Sequence, residues 1–173
     1  MTRVSVITVS DSRSIGTAED RSGPAVEAAL SPLGLEVSTR LIVPDDVGQI
    51  QAAVHAYLGD AALIVTTGGT GISDRDVTPE ALEPLFDRRL PGFGEIMRTG
   101  SYSKTPLSII SRGGAGVIGR TLVVMLPGSP GGVAECLALI GPAIKHVLKV
   151  LDRQKVDCQS EREADVGSSG TTP

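Results

Sequence analysis

Short apolar runs alternate along this chain with segments whose apolar residues recur every three or four positions, and the alternation predicts strands and helices in turn. Val4–Val9 has the look of a strand covered on both faces, ending at Ser10-Asp-Ser-Arg13. Asp20 can cap the helix that follows; Ala25, Val26, Ala29 and Leu30 make its inner stripe, and Pro32 with Gly34 closes it. Leu35–Val43 reads as a second strand near a sheet edge, because Glu36, Ser38 and Arg40 alternate with Val37 and Leu41. Pro44-Asp-Asp46 ends it. Ile50, Ala53, Val54, Tyr57 and Leu58 then keep helical spacing, and Ala61–Thr66 forms a third strand.

The β-branched run breaks off into Gly68-Gly-Thr-Gly71, and Thr78–Phe86 restarts as a helix with Pro79 in its first turn, where a missing N–H does no harm. Leu90-Pro-Gly-Phe-Gly-Glu95 leads into a helix through Ile96 and Met97. Between residues 101 and 119 the pattern weakens; Leu107–Ser111 is expected as a strand and Gly113–Gly116 as a loop. Thr121–Leu126 is a clear strand, and beyond Pro127–Gly132 a long amphipathic helix reaches about Leu151. The expected fold is α/β: a three-layer, doubly wound, mostly parallel sheet with helices on both faces. Ligands of such sheets sit outside the carboxyl ends of the strands. Four polar clusters fall on that edge: Ser10-Asp11, Asp45-Asp46, Gly68–Asp76 and Gly128-Ser129.

A length of 173 residues suits one domain, residues 1–151, followed by a polar tail, residues 152–173. Glu161–Pro173 is disordered by composition. With two Phe, two Tyr and no Trp, the core has to be built from Val, Ile, Leu and Ala. The net charge is −4, and half of it lies in the tail, where five acids face three bases. Without a basic stripe or aromatics to stack on bases, nucleic acid is not an expected partner. No apolar run approaches the ~20 residues of a membrane span, and the chain opens into a strand instead of a signal peptide. Cys136 lies in an apolar helical stretch and Cys158 in the tail; they suggest neither a disulfide nor a metal pair, and a cytoplasmic location is expected.

The glycine loop matches neither common nucleotide loop. Ile72-Ser73 follows Gly71 where a P-loop needs Lys-Ser/Thr, and position 74 is Asp where a dinucleotide fingerprint wants Gly. Taken alone, the glycines fit a tight strand-to-helix turn capped by Ser73, Asp74 or Thr78, or a cradle in which backbone amides approach a phosphate. The surrounding acids favour the cradle. One of Asp45 and Asp46 is expected to cap the following helix, leaving the other free; with Asp76 it makes the carboxylate pair that a magnesium-triphosphate site needs, Asp74 being the weaker candidate. His55 and His146 fall within helices, and no Ser, Cys or Asp completes a nucleophilic triad with them. Cys136 reads as a core residue. The absence of a covalent nucleophile points to metal-assisted phosphoryl or nucleotidyl transfer by positioning and electrostatics.

Thr66-Thr-Gly-Gly-Thr-Gly71, Asp74-Arg-Asp-Val-Thr-Pro79, Pro91-Gly-Phe-Gly-Glu95 and Leu126-Pro-Gly-Ser-Pro130, in that order, resemble the MogA/MoaB family of molybdenum-cofactor biosynthesis, and the likeness runs from about Val4 to Leu151. The resemblance implies a trimeric α/β protein that binds molybdopterin, with a catalytic branch that uses Mg-ATP to adenylylate the pterin phosphate and release pyrophosphate. Asp45 and Asp76 match that branch's essential, Mg²⁺-holding aspartates. Ser10, Asp11, Gly68, Gly69, Thr70, Gly71 and Ser73 are expected on the nucleotide and phosphate side. Glu95, Pro127, Gly128 and Ser129 match positions on the pterin side. A second branch binds pterin without turnover and departs from the pattern around Asp76. Here both aspartates stand, so the enzyme is the expected reading and the pterin-binding protein the alternative. Molybdate insertion is not expected of this chain, which leaves a hand-over to a molybdate-inserting enzyme.

Overall fold

A computed structural model describes residues 3–152. The tail expected to lack structure, and Cys158 within it, lie outside the described residues apart from Asp152.

Six strands form one sheet in the order β2-β1-β3-β6-β5-β4: β1 Val4–Val9, β2 Val37–Val43, β3 Leu63–Thr67, β4 Arg88–Arg89, β5 Gly114–Ile118 and β6 Thr121–Leu126. β1 pairs in parallel with β2 and β3, and β3 in parallel with β6. β5 runs antiparallel to both β6 and β4. The helices are α1 Asp11–Ser14, α2 Ser22–Leu30, α3 Val47–Tyr57, α4 Thr78–Leu82, α5 Pro91–Ser101 and α6 Pro130–Leu151.

The alternation of side chains along each strand sorts the core into two halves. Val4, Val6, Leu63, Val65, Leu122 and Val124 face α2, α5 and α6. Ile7, Val9, Ile64, Val123 and Met125 face α3 and α4. β1, β3 and β6 are buried along their whole length, whereas β2 alternates between half-buried and exposed positions, as its place at the sheet edge requires. Asp20 stands just ahead of α2, taking the Gly23 amide at 3.0 Å and the Thr8 hydroxyl at 2.9 Å, which ties the helix to β1. Among the described residues no helix is long and apolar enough to cross a membrane.

The segment 101–119 departs from expectation. Pro106–Ile110 is a 3₁₀ helix, with Ser108 Oγ donating to the Arg98 carbonyl at 2.9 Å, and no strand forms at Leu107–Ser111. Of the segment 113–116, expected as a loop, residues 114–116 enter β5 instead, paired antiparallel with β6, and Gly116 is glycine because a Cβ there would fall on the Phe86 ring. Other boundaries moved as well: β2 starts at Val37, β3 runs Leu63–Thr67, and the helix expected over residues 78–86 stops at Leu82 and passes into a 3₁₀ turn, Glu83–Leu85. Pro91 opens α5, so residues 91–95 belong to the helix, and Pro130 opens α6 with Ser129 Oγ capping the Gly132 amide.

Candidate active site

The chain leaves β1 outward to β2 and then returns across it to β3, so β1 and β3 are neighbours from which the connections diverge. A crevice opens outside their carboxyl ends. Three loops meet there: Ser10–Arg13 after β1, Asp45 after β2 and Gly68–Asp76 after β3. Pro127–Ser129, after β6, forms the far wall of a cleft of about 450 Å³.

Backbone contacts fix the glycine loop. The Gly68 amide donates to the Leu126 carbonyl at 3.1 Å, and Thr67 Oγ1 donates to the Pro127 carbonyl at 2.7 Å, joining the loops after β3 and β6. Gly68 has φ +101° and its missing Cβ would fall on the Val9 carbonyl oxygen, so no other residue fits. Thr78, fully buried, closes the loop from below: its hydroxyl donates to the Gly68 carbonyl at 2.8 Å and its amide to Gly69 at 3.0 Å.

Asp45 and Asp76 both come to this loop. A Cβ on Gly69 would stand 3.1 Å from Asp45 Oδ1, and one on Gly71 would stand 2.7 Å from Asp76 Oδ2. Asp76 is set by a tight turn in which its Oδ2 accepts from the Ser73 amide at 2.9 Å. Asp45 is held by Asp11, each carboxylate accepting the other's backbone N–H at 2.9 and 3.0 Å. Burial pushes the Asp45 carboxyl above its ordinary range; the Asp11 amide opposes this, while the charges of Asp11 and Asp76 add to it and Arg75 relieves it. Arg75 lies 3.5 Å from Asp11 on the exposed rim.

A carboxyl whose charge is disfavoured by burial and by two other acids is suited to a hard cation. Among the described residues, no three acids, histidines or cysteines stand together as a complete metal site. Two carboxylates without a third side-chain ligand suit Mg²⁺, which completes its shell with substrate phosphates and water.

The capping alternative is resolved in favour of Asp46, whose carboxylate accepts the Gln49 amide at 2.8 Å and starts α3. Ser10, Gly68, Gly69, Thr70, Gly71, Pro127, Gly128 and Ser129 line the cleft with both aspartates; Asp11 and Ser73 contact those aspartates directly. Asp74 is exposed. Glu95 is exposed on α5 and does not line the cleft. The cleft continues past Leu107, Ser111, Pro127 and Ser129 into a mostly apolar hollow of about 200 Å³, lined also by Met97, Ser101 and Cys136.

Arg112 was missed by sequence reasoning. It lies in the segment with the weakest periodicity, yet its amide donates to Thr70 at 2.8 Å, its Nε to Gly71 at 2.6 Å and its Nη2 to Asp76 at 2.5 Å, all carbonyl oxygens of the glycine loop. Its Nη1 pairs with the Glu80 carboxylate. This guanidinium holds the Glu80 carboxyl below the usual carboxylate range. An arginine flanked by Ser111 and Gly113 was the available signal, and it carries no periodicity.

Residues 5–146 match a family model described as a probable molybdopterin binding domain. The chain is 40% identical over 150 residues to the molybdenum cofactor biosynthesis bifunctional protein of Chlorobaculum tepidum, covering 86% of this chain and 48% of that protein. It spans about half the length of the bifunctional relatives it matches. It is 38% identical over 155 residues to the molybdopterin adenylyltransferase of Helicobacter pylori, covering 86% of each. The crystal structure of the molybdopterin biosynthesis enzyme MoaB from Thermus thermophilus is similar with a TM-score of 0.84 and 39% identity, over 91% of this chain and all of that one.

Proposed function

The chain belongs to the family of the probable molybdopterin binding domain, and on that premise we propose that it is a molybdopterin adenylyltransferase of molybdenum-cofactor biosynthesis. In this reaction an oxygen of the pterin's terminal phosphate attacks the α-phosphorus of ATP. The bond from that phosphorus to the bridging oxygen breaks, and pyrophosphate leaves with the electron pair. The observation that carries the reading is the convergence of the Asp45 and Asp76 carboxylates on the Gly68–Gly71 loop at the sheet's switch point.

Nothing in this site needs to form a covalent bond with substrate; its parts position and neutralise. The glycine loop brings backbone close to the phosphates. Asp45 and Asp76 would hold the Mg²⁺ that accompanies ATP, which when bound offsets phosphate charge. Asp11 fixes the direction of Asp45, and the turn at Ser73 fixes that of Asp76. The apolar hollow beside Pro127–Ser129 offers a flat ring system a place next to the phosphates, which supports a pterin there. We take the active species to be a cytoplasmic homotrimer that passes its product to a molybdate-inserting enzyme.

Incubating the full chain with Mg-ATP and molybdopterin tests the reading: adenylylated pterin and pyrophosphate should appear in equal amounts, and only with Mg²⁺ present. The alternative is a pterin-binding protein without turnover. It forecasts pterin binding with no pyrophosphate.

A further inference from the structure

The glycine loop has two sides. Gly71 and Asp76 line the cleft in front, while Arg112 and Glu80 line a separate hollow of about 610 Å³ behind it. From behind, one arginine engages the carbonyls of Thr70, Gly71 and Asp76, and its remaining guanidinium nitrogen is taken by Glu80. The peptide bonds of this loop are trans, so a carbonyl and the following N–H point in opposite directions. Drawing the Gly71 carbonyl toward the guanidinium therefore turns the Ile72 amide the other way, and the grip on the Asp76 carbonyl sets the backbone that carries the metal-side carboxylate; the Thr70 carbonyl is held by the Arg112 main-chain N–H, a contact that any residue at 112 keeps.

We propose that the Arg112 side chain, braced by Glu80, is a positioning residue for the adenylyl transfer: it sets the backbone at Gly71 and Asp76 against the nucleotide phosphates without touching them. This rests on the reading above that the cleft takes Mg-ATP. Lysine is a poor substitute, since one ammonium on a flexible stem cannot reproduce a planar fork with several fixed donors. Glu80→Gln keeps an acceptor for Nη1 and removes only the charge, so it should behave as the mild variant.

The test compares the wild-type full chain with Arg112→Ala, Arg112→Lys and Glu80→Gln in four measurements: Mg-ATP affinity by calorimetry without pterin, molybdopterin affinity, melting temperature, and turnover resolved into kcat and KM for Mg-ATP. Arg112→Ala and Arg112→Lys should weaken Mg-ATP binding and lower kcat by about 10–100-fold, the scale for losing a group that orients a metal ligand. Glu80→Gln should fall between them and the wild type, and pterin affinity should be unchanged throughout. Should Arg112→Ala fail to fold, the Lys and Gln variants carry the comparison.

Wild-type Mg-ATP affinity in the Arg112 variants would overturn the proposal, as would a parallel loss of pterin affinity and melting temperature, the mark of a merely structural residue. A wild type that binds Mg-ATP but makes no adenylylated pterin defeats the proposed reaction, while the affinities still decide the role of Arg112. A wild type that does not bind Mg-ATP overturns both.

Discussion

Asp11 and Asp45 exchange backbone hydrogen bonds, each carboxylate receiving the other's amide at 2.9 and 3.0 Å. The exchange bridges the ends of β1 and β2 and leaves each carboxylate one oxygen outside the exchange. It also brings like charges together, which folding alone would avoid. Such an arrangement is stable when something positive arrives, and this is the physical core of the functional reading.

Asp45→Asn and Asp76→Asn should each reduce Mg²⁺-dependent turnover by ~10²–10³, the scale of losing one strong electrostatic contact in a preorganised site. Both variants keep an oxygen for the Asp11 or Ser73 amide, so the loops stay in place and pterin affinity holds. Product formation and pterin affinity measured together check this. Near-wild-type turnover in both variants would sink the two-aspartate mechanism.

Asp45 also predicts how stability follows pH. Its folded-state value is raised, chiefly by burial, above the ordinary 3.8. The folded state therefore holds the proton longer than the unfolded chain, and stability is lost as pH rises from 3.8 through the folded value, then stays lost above it. Asp45→Asn removes that loss. Its melting temperature should match or exceed wild type by a few degrees at neutral pH, with the gap closing as pH falls toward 3.8. A variant less stable than wild type at pH 7 contradicts this.

Two glycines of β5 separate steric need from backbone freedom. Gly116→Ala drives a Cβ into the Phe86 ring and should cost about 1–3 kcal/mol, as overpacking does. At Gly114 the nearest atom is Met125 Cε at 3.8 Å, so Gly114→Ala should be neutral or stabilising by at most ~1 kcal/mol. Denaturant titration of both variants reads the difference directly.

Cys136 should resist thiol reagents in the folded protein. It is 6% exposed, and burial, with help from Glu135, pushes its thiol up to about 11. At pH 8 only about one such thiol in a thousand is ionised. Peptide mapping after brief alkylation at pH 8 should find Cys136 unmodified until denaturant is added; prompt labelling under native conditions would show that the apolar hollow opens.

The parallel half of the fold was legible because β1, β3 and β6 are buried on both faces and read as apolar runs. The antiparallel half was not. Gly113-Gly-Ala-Gly116 resembles a loop in sequence; only Phe86, about thirty residues earlier, explains the missing side chain at Gly116, and only the Met125 carbonyl the one at Gly113. Within the site, carboxylates and glycines announce themselves by residue type, so Asp45, Asp76 and Gly68–Gly71 could be named in advance. Which of Asp45 and Asp46 caps α3 depends on backbone direction after Pro44, which residue type does not encode. Arg112 acts on carbonyl oxygens, which every residue has, and no pattern of side chains reveals such a partner.

The strand at the centre of the sheet has a consequence for how the molecule is made. β6 pairs with β3, yet some sixty residues separate Leu63 from its partner Leu122. The glycine loop is fully synthesised by residue 76, but it is anchored by Leu126 and gripped by Arg112. A nascent chain emerging from its amino end therefore carries the loop without its shape, and with β3 open along one edge, until the last third has left the ribosome. The site and the closed sheet arrive together, so a chain released before residue 126 has neither.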